Sequence, residues 1–298
     1  MTIEPPEFTR RPHPGPMDPG DAWVVAPSGE RYWGRYGAAG LLLIDAERRI
    51  LMQHRVEWSH FGGTWALPGG ARHEGETARD AALREAGEEA GVPADAAAVR
   101  AMHIFDLGYW SYATVIADVR YPFEPRVTDP ESNALEWVAV DAVDDLPLHP
   151  GFAASWGEIR TLLDEHPVIV VDAANVVGSQ PDGWWNDRAA AADRLVARIR
   201  PHVQRGMDAA FLRLGGNVWF PEWVLVLEGA ARTARPVAGI EFVMAQGRSG
   251  DDELVAEVAR LLGADHAATV VTSDRELRRR VEVLGAHVRG AGALLDQL

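Results

Sequence analysis

The strongest constraint on this chain lies between residues 69 and 92, which read GGARHEGETARDAALREAGEEAGV. Glu85, Glu88 and Glu89 stand at i, i+3 and i+4, so a helix here puts three carboxylates on one face. Like charges at that spacing repel by roughly 0.2–0.5 kcal/mol per pair. A fold that keeps them together must bring positive charge to that face. Ahead of the helix, Gly69 and Gly70 allow a tight turn and a close backbone approach, and Gly91 suits a left-handed helix stop. The segment therefore reads as a turn, a helix with an acidic face, and a stop.

The spacing is regular beyond the three glutamates. Gly70 is followed after five residues by Glu76, after seven more by Arg84–Glu85, and then by Glu88–Glu89 and Gly91–Val92. At average residue frequencies, seven such positions match by chance roughly once in a million. The stretch resembles the Nudix box of the MutT-like diphosphate hydrolases, with Ala86 where that family carries a bulky aliphatic residue. The resemblance extends over residues 36–165 through GAAGLLLI, GGTWALPGG and ESNALEWVAVDAVDDLPLHPGF.

This resemblance implies an α+β sandwich that hydrolyses a nucleoside diphosphate linkage with Mg²⁺ (or Mn²⁺). Such ions prefer carboxylate and phosphate oxygens, acidify a bound water and steady the leaving oxygen. Glu85, Glu88 and Glu89 are the expected metal ligands and catalytic residues, and Arg84 is expected to hold a glutamate by a bidentate contact. MutT-like members often add an acid from the loop before the Glu–Trp strand. Glu131, five residues before Glu136–Trp137, matches that place and is the candidate further ligand or general base, with Glu136 competing. Arg55 and Gly70 are candidate substrate contacts. Phe61, Tyr109, Trp110 and Tyr112 are candidate stacking faces for a base, with core or rim packing as the alternative.

A length of 298 residues accommodates two domains, and an apolar fraction of 47% supports buried cores. The pattern changes at His166–Pro167, giving three expected segments: a flexible arm over 1–20, the Nudix-like domain over 21–166, and a second domain over 167–298. Charge divides unevenly between them. Residues 1–166 hold 14 Arg against 27 Asp plus Glu, a net of −13, and residues 167–298 hold 15 against 17, a net of −2. The first part repels polyanions unless metal ions or arginines intervene, and the second does so far less. Cysteine and lysine are both absent, which excludes disulfides, thiol catalysis, Schiff bases and a P-loop lysine. The Pro-rich start is no secretory signal and no apolar run approaches the ~20 residues of a membrane span. A cytoplasmic protein without membrane partners is expected.

The second part is read as strand–helix alternation. VIVV (168–171), WVLVL, IEFVM and ATVV are short apolar runs of the kind buried on both faces of a parallel sheet. DDELVAEVARLL lies between them with helical spacing, so a doubly wound, mainly parallel sheet is expected and the whole chain is α/β. Acids follow the strands in VVDAANVVG, SGDDEL and VVTSDREL. Asp172, Asp251 or Asp252, and Asp274 are thereby expected at one sheet edge, with Asn175 beside Asp172, where ligands bind in this architecture. The pattern resembles the PIN-like nucleases and their NYN (YacP-like) branch, in which clustered acids form a two-metal site that cuts phosphodiesters. That resemblance implies RNA as a partner and places Glu228 as a further acid. The plainer alternatives are that Asp274 caps the helix from Arg275 and that Asp251 and Asp252 complement a helix dipole.

The leading expectation is a Mg²⁺-dependent Nudix pyrophosphohydrolase acting on a nucleotide, fused to a PIN-like domain that binds or cleaves RNA. The competing one is a nucleotide-sensing regulator whose Nudix domain holds an ADP-ribose-like ligand without turnover, with the second domain as a scaffold; a third is that the second domain only dimerises the enzyme.

Overall fold

The computed structural model describes residues 1–4, 19–180, 184–245 and 249–298. It divides into two compact units, Met1–Leu163 and Asp164–Leu298. Most of the expected arm lies outside the described residues, but Thr2–Glu4 is a strand rather than a flexible end. This β1 pairs antiparallel with β2 (Trp23–Val25), which pairs with β3 (Arg31–Trp33). The β-branched Thr2 and Ile3 lie opposite Val25 and Val24, a pairing that strand propensity favours.

The larger sheet of the first unit is built from β4 (Ala38–Ile44), β5 (Arg49–Arg55), β6 (Trp65–Ala66), β7 (Gly69–Ala71), β8 (Ala97–Asp106), β9 (Ser111–Val119) and β10 (Ser132–Ala139). Its order is β10-β5-β4-β9-β8, with β6 against β5 and β7 against β4. The β4–β9 contact is parallel, whereas its neighbours are antiparallel.

Helix α1 (Ala78–Ala90) starts at Thr77, whose side chain accepts from the Asp80 N–H, and stops at Gly91 with φ 63°. Ala81, Ala82, Ala86 and Ala90 are fully buried against Leu41, Leu43, Leu51 and Val115. Small residues let the helix settle close to the sheet, and Ala86 belongs to that row. Helix α2 (Pro150–Arg160) buries Phe152, Trp156 and Ile159. Its N-cap is His149, whose Nδ1 accepts from the Gly151 N–H at 3.1 Å.

The second unit runs β11 (Pro167–Asp172), α3 (Ala173–Gly178), α4 (Arg188–Arg205), β12 (Met207–Asp208), α5 (Ala209–Leu212), β13 (Val218–Trp219), β14 (Glu222–Leu227), β15 (Ile240–Met244), α6 (Gly250–Leu262), β16 (Ala267–Val271), α7 (Arg275–Leu284), β17 (His287–Arg289) and α8 (Ala291–Leu295). Five strands form one sheet in the order β15-β14-β11-β16-β17, every pair parallel. From β11 the chain winds outward to β15, then returns to β16 on the other side, so the topological switch lies beside β11. Val168, Val170, Val224 and Val270 pack on Leu254, Val258 and Leu261 of α6 and on Leu277 and Val281 of α7. The central strands β11, β14 and β16 are almost wholly buried because both faces are covered.

Candidate active site

In the first unit β7 and α1 meet at the acidic face. Gly69 belongs to β7, opposite Gly40 of β4. Its N–H donates to Oε2 of Glu89 at 2.8 Å. A side chain at residue 69 would lie 2.5 Å from the Ala39 carbonyl oxygen, and one at residue 70 would lie 2.7 Å from the Glu85 carboxyl atoms. The two glycines therefore bring bare backbone against two carboxylates.

The three glutamates do not share one environment. Glu89 is buried, Glu85 keeps 14% of its side chain exposed, and Glu88 keeps 60%. Burial pushes the Glu85 carboxyl up to about 7 against the pull of Arg84. Burial, and then repulsion from Glu85, raises Glu89 well above the carboxylate range, while the Gly69 N–H and Arg55 oppose the rise.

Arg84 forms its bidentate fork with Glu76, with Nε to Oε1 at 2.9 Å and Nη2 to Oε2 at 3.0 Å. Its Nη1 donates to Glu85 at 2.8 Å and to Glu88 at 3.1 Å. Burial alone would raise Glu76, but the Arg84 fork and the His73 N–H hold its carboxyl below the ordinary range. One guanidinium thus ties the loop before the helix to two of its three glutamates.

This donor set fits a hard divalent cation. Glu85 and Glu89 are carboxylates in a desolvated place, where negative charge calls for a counter-charge, and the Glu85 carboxyl sits against bare backbone at Gly70, where any Cβ would displace it. Among the described residues, no three acidic or histidine side chains already stand at ligand spacing around one point.

Glu131 and Glu136 part company. Glu131 adds its charge to the repulsion that raises Glu89. Its loop is pinned by the Val56 N–H donating to the Glu131 carbonyl at 3.0 Å and by buried Gln53, whose Nε2 donates to Ser132 Oγ at 2.7 Å. Glu136 is exposed and pairs across β10–β5 with Met52. Its neighbours Leu135 and Trp137 are the ones packed toward α1, so Glu136 projects from the opposite face. Sequence reasoning passed over Gln53, since alternation with Leu51 marks it as core and nothing in the sequence tells of its partner.

Arg55 closes β5. Its Nε donates to the His60 carbonyl at 3.2 Å, and its charge acts on Glu89, His60 and His149 alike. The expected aromatic face separates into two groups. Tyr109 and Trp110 pack with Tyr32, the latter stacked at 4.7 Å, and the Tyr112 hydroxyl covers the Cβ position of Gly40. Phe61 instead joins His60 and His149.

In the second unit Asp172, Asn175, Glu228, Asp251 and Asp274 line one cavity of about 180 Å³ at the C-terminal edge of the sheet. Asp172 Oδ1 accepts from the Asn175 N–H at 3.0 Å, and Oδ2 accepts from the Thr272 hydroxyl at 2.9 Å. Asn175 Oδ1 accepts from the Ser273 N–H at 2.7 Å, which ties the ends of β11 and β16 together. Burial raises Asp172 above the usual range, with Asp251 and Glu228 adding repulsion. Asp251 is raised too, first by burial and then by Asp274. Asp274 does cap α7, accepting from the N–H groups of Glu276 and Leu277 at 2.8 Å each. Asp252 is not among the lining residues and pairs with Arg280 at 2.6 Å, because it lies one residue round the helix from Asp251.

A family model described as the NUDIX domain matches residues 34–156. A protein named putative 8-oxo-dGTP diphosphatase 3, from Mycobacterium tuberculosis, is 52% identical over 152 residues, covering 48% of this chain and 70% of its own length. A nucleoside triphosphate pyrophosphatase/Nudix hydrolase fusion protein from Bifidobacterium longum is 37% identical over 155 residues, covering 49% of this chain and 32% of its own. Among solved structures, the Nudix hydrolase RenU from M. smegmatis is 49% identical and covers 48% of this chain and 94% of its own, with a TM-score of 0.45.

Proposed function

The chain belongs to the Nudix family as a pyrophosphohydrolase, and we propose that its first unit hydrolyses a purine nucleoside triphosphate of the 8-oxo-dGTP kind, with Glu85, Glu88 and Glu89 holding Mg²⁺ or Mn²⁺. The observation that carries this reading is the pairing of half-buried Glu85 and buried Glu89 beneath bare backbone at Gly69 and Gly70. The substrate class follows the name of the M. tuberculosis relative. Hydrolysis forms one P–O bond to water and breaks one P–O bond of the anhydride, so a proton must leave the water as the bridging oxygen departs.

Divalent ions held by the glutamates would neutralise phosphate charge and acidify the attacking water. Arg84 fixes Glu85 and Glu88 in place through Glu76. Glu131, whose charge reaches Glu89, would take the proton. Arg55, held by the His60 carbonyl and acting by its charge on Glu89, would meet a phosphate oxygen. The test is turnover of 8-oxo-dGTP with Mg²⁺ or Mn²⁺. Product should appear with metal and vanish with a chelator, and absence of turnover across nucleoside triphosphates in both metals would refute the reading.

A second reading applies to the other unit. Its cavity gathers Asp172, Glu228, Asp251 and Asp274 beside the switch of a 3-2-1-4-5 parallel sheet, the place where such sheets bind ligands. This supports a PIN-like, metal-dependent site for the phosphodiesters of single-stranded RNA. Cleavage of such RNA with Mn²⁺, lost in Asp172→Asn, tests it.

A further inference from the structure

Phe61 is an outlier in two respects. Its backbone has φ 54°, a left-handed conformation that bulky side chains rarely adopt, and its ring is 45% exposed. The conformation is imposed by its neighbours. Gly62 crosses the carbonyls of Val56 and Glu57 so closely that any Cβ would collide with both. The Gly62 N–H donates to the Ser59 carbonyl at 3.0 Å and the Gly63 N–H to the Arg55 carbonyl at 3.0 Å. The Thr64 hydroxyl closes the turn on the Phe61 carbonyl at 2.6 Å. A strained residue held this firmly, yet with its ring in solvent, contributes little to the core, and such strain collects at sites of function.

The exposed ring has organised company. The His60 ring lies 4.2 Å away, and the His149 ring meets Phe61 edge-on at 4.8 Å and 85°. His149 is brought there by backbone bonds, since its N–H donates to the Trp65 carbonyl and the Trp65 N–H donates to the Pro147 carbonyl, both at 2.8 Å. Trp23 supports His60 from behind at 5.1 Å. Burial and the Arg55 charge keep both imidazoles below their ordinary range, His149 at about 4, so near neutral pH the group presents uncharged rings.

Arg55 links this group to the acidic face, since its Nε donates to the His60 carbonyl at 3.2 Å and its charge also acts on the Glu89 carboxyl. A ligand lying across Arg55 would meet anion-neutralising chemistry at one end and flat apolar rings at the other. We propose that Phe61, flanked by His60 and His149, is the seat on which the nucleobase of the substrate stacks. This rests on the hydrolase reading and assigns the base-recognising end of the same site.

The test uses the full chain with Phe61→Gly and Phe61→Tyr. Glycine removes the ring and relieves the left-handed strain, so its Tm should stay within about 2 °C of wild type despite the looser unfolded chain. Its KM for dGTP should rise at least ~10-fold, in the range of a lost base–aromatic stack. Hydrolysis of deoxyribose 5-triphosphate, which has no base, should be unchanged, and Phe61→Tyr should behave as wild type. An unchanged KM for dGTP, an equal loss on both substrates, or a large fall in Tm would overturn the proposal.

If the wild type hydrolyses neither these compounds nor 8-oxo-dGTP, the hydrolase reading fails by itself, and the seat is then read from titration of dGMP, followed by tryptophan fluorescence. A Kd at least ~10-fold weaker in Phe61→Gly supports the seat. No binding by wild type, or equal binding by both proteins, rejects it.

Discussion

The Glu85 carboxyl group fills the space that a side chain at residue 70 would need, its carbon and both oxygens lying 2.7 Å from the Cβ position of Gly70. One position is glycine because the other is a buried acid. Gly70→Ala is therefore expected to fold, since β7 pairs with β4 through its backbone, but to push Glu85 aside. Misplacement of a reacting group by about 1 Å can cost ~100-fold. We expect a fall of that order in kcat for nucleoside triphosphate hydrolysis with little change in Tm. A wild-type rate would remove Glu85 from the reacting centre.

Glu88→Gln and Glu89→Gln should each lower turnover by at least ~100-fold, because each removes a charge proposed to hold metal. They should differ in stability. Glu89 is buried and its carboxyl is raised, so in chelator its neutral amide is expected to raise Tm by roughly 2–4 °C. The exposed Glu88 should leave Tm unchanged. Thermal unfolding with chelator, then with Mg²⁺, separates the cases, and equal Tm values for both variants in chelator would contradict a buried charge at Glu89.

The spacing of Gly70, Glu76, Arg84 and the glutamates was legible because helical periodicity and capping are local rules. Helix α1 and its stop at Gly91 follow from neighbours in sequence. The apolar runs of the second half likewise announced a parallel sheet. Other relationships were hidden because they depend on which strands meet. The choice between Glu131 and Glu136 turns on β10 pairing with β5, which puts Glu136 on the far face. The bond from Gln53 to Ser132 joins residues 79 apart. The strain at Phe61 arises from Gly62 crossing a carbonyl pair, and the sequence shows only an aromatic residue before two glycines. Thr2–Glu4 is too short to register as a strand before its partner Trp23–Val25 is known.

His149 supplies a pH prediction. Its carboxyl-independent cap needs a bare Nδ1, which accepts the Gly151 N–H, and burial with Arg55 lowers its pKa to about 4 from an ordinary 6.5. A folded pKa below the unfolded one means that the unfolded chain binds more protons between those values. The stabilisation is then present above pH 6.5 and lost as pH falls toward 4. Glu85 acts with the opposite sign, its pKa of about 7 favouring the folded state at low pH and losing that contribution as pH rises through 7. The raw curve therefore mixes both trends. His149→Asn keeps a capping acceptor without titrating, so wild type should lose Tm relative to this variant between pH 6.5 and 4. Parallel curves would show that His149 is not held neutral.

Residues 1–166 expressed alone should fold and hydrolyse the same nucleotide as the full chain. Every proposed ligand of that chemistry lies in the unit Met1–Leu163, and the fragment retains the buried Trp156, Ile159, Leu162 and Leu163. Circular dichroism and kcat/KM relative to the full chain decide the matter, with a soluble but inactive fragment counting against independent action.

The cavity of the second unit yields the last prediction. Asp172 is held by the Asn175 N–H and the Thr272 hydroxyl, while Asp251 and Glu228 repel it. Asp172→Asn keeps an oxygen for the Asn175 N–H and removes the repelling charge, so in chelator it is expected to stabilise the protein slightly. Mn²⁺ should reverse the ranking. Bound to the native acids, it would add stability that grows with the logarithm of its concentration above Kd, and the variant would gain less. Single-stranded RNA should be cut by wild type with Mn²⁺ and not by Asp172→Asn, whereas Asp252→Asn, which alters only a residue paired with Arg280 outside the cavity lining, should leave cutting intact. If Mn²⁺ raises Tm but no RNA is cut, the cavity binds cations without the proposed cleavage chemistry. If Mn²⁺ changes neither protein, the acids belong to helix capping and strand ties alone, as the bonds from Asp274 to the start of α7 and from Asp172 to the start of α3 already show they can.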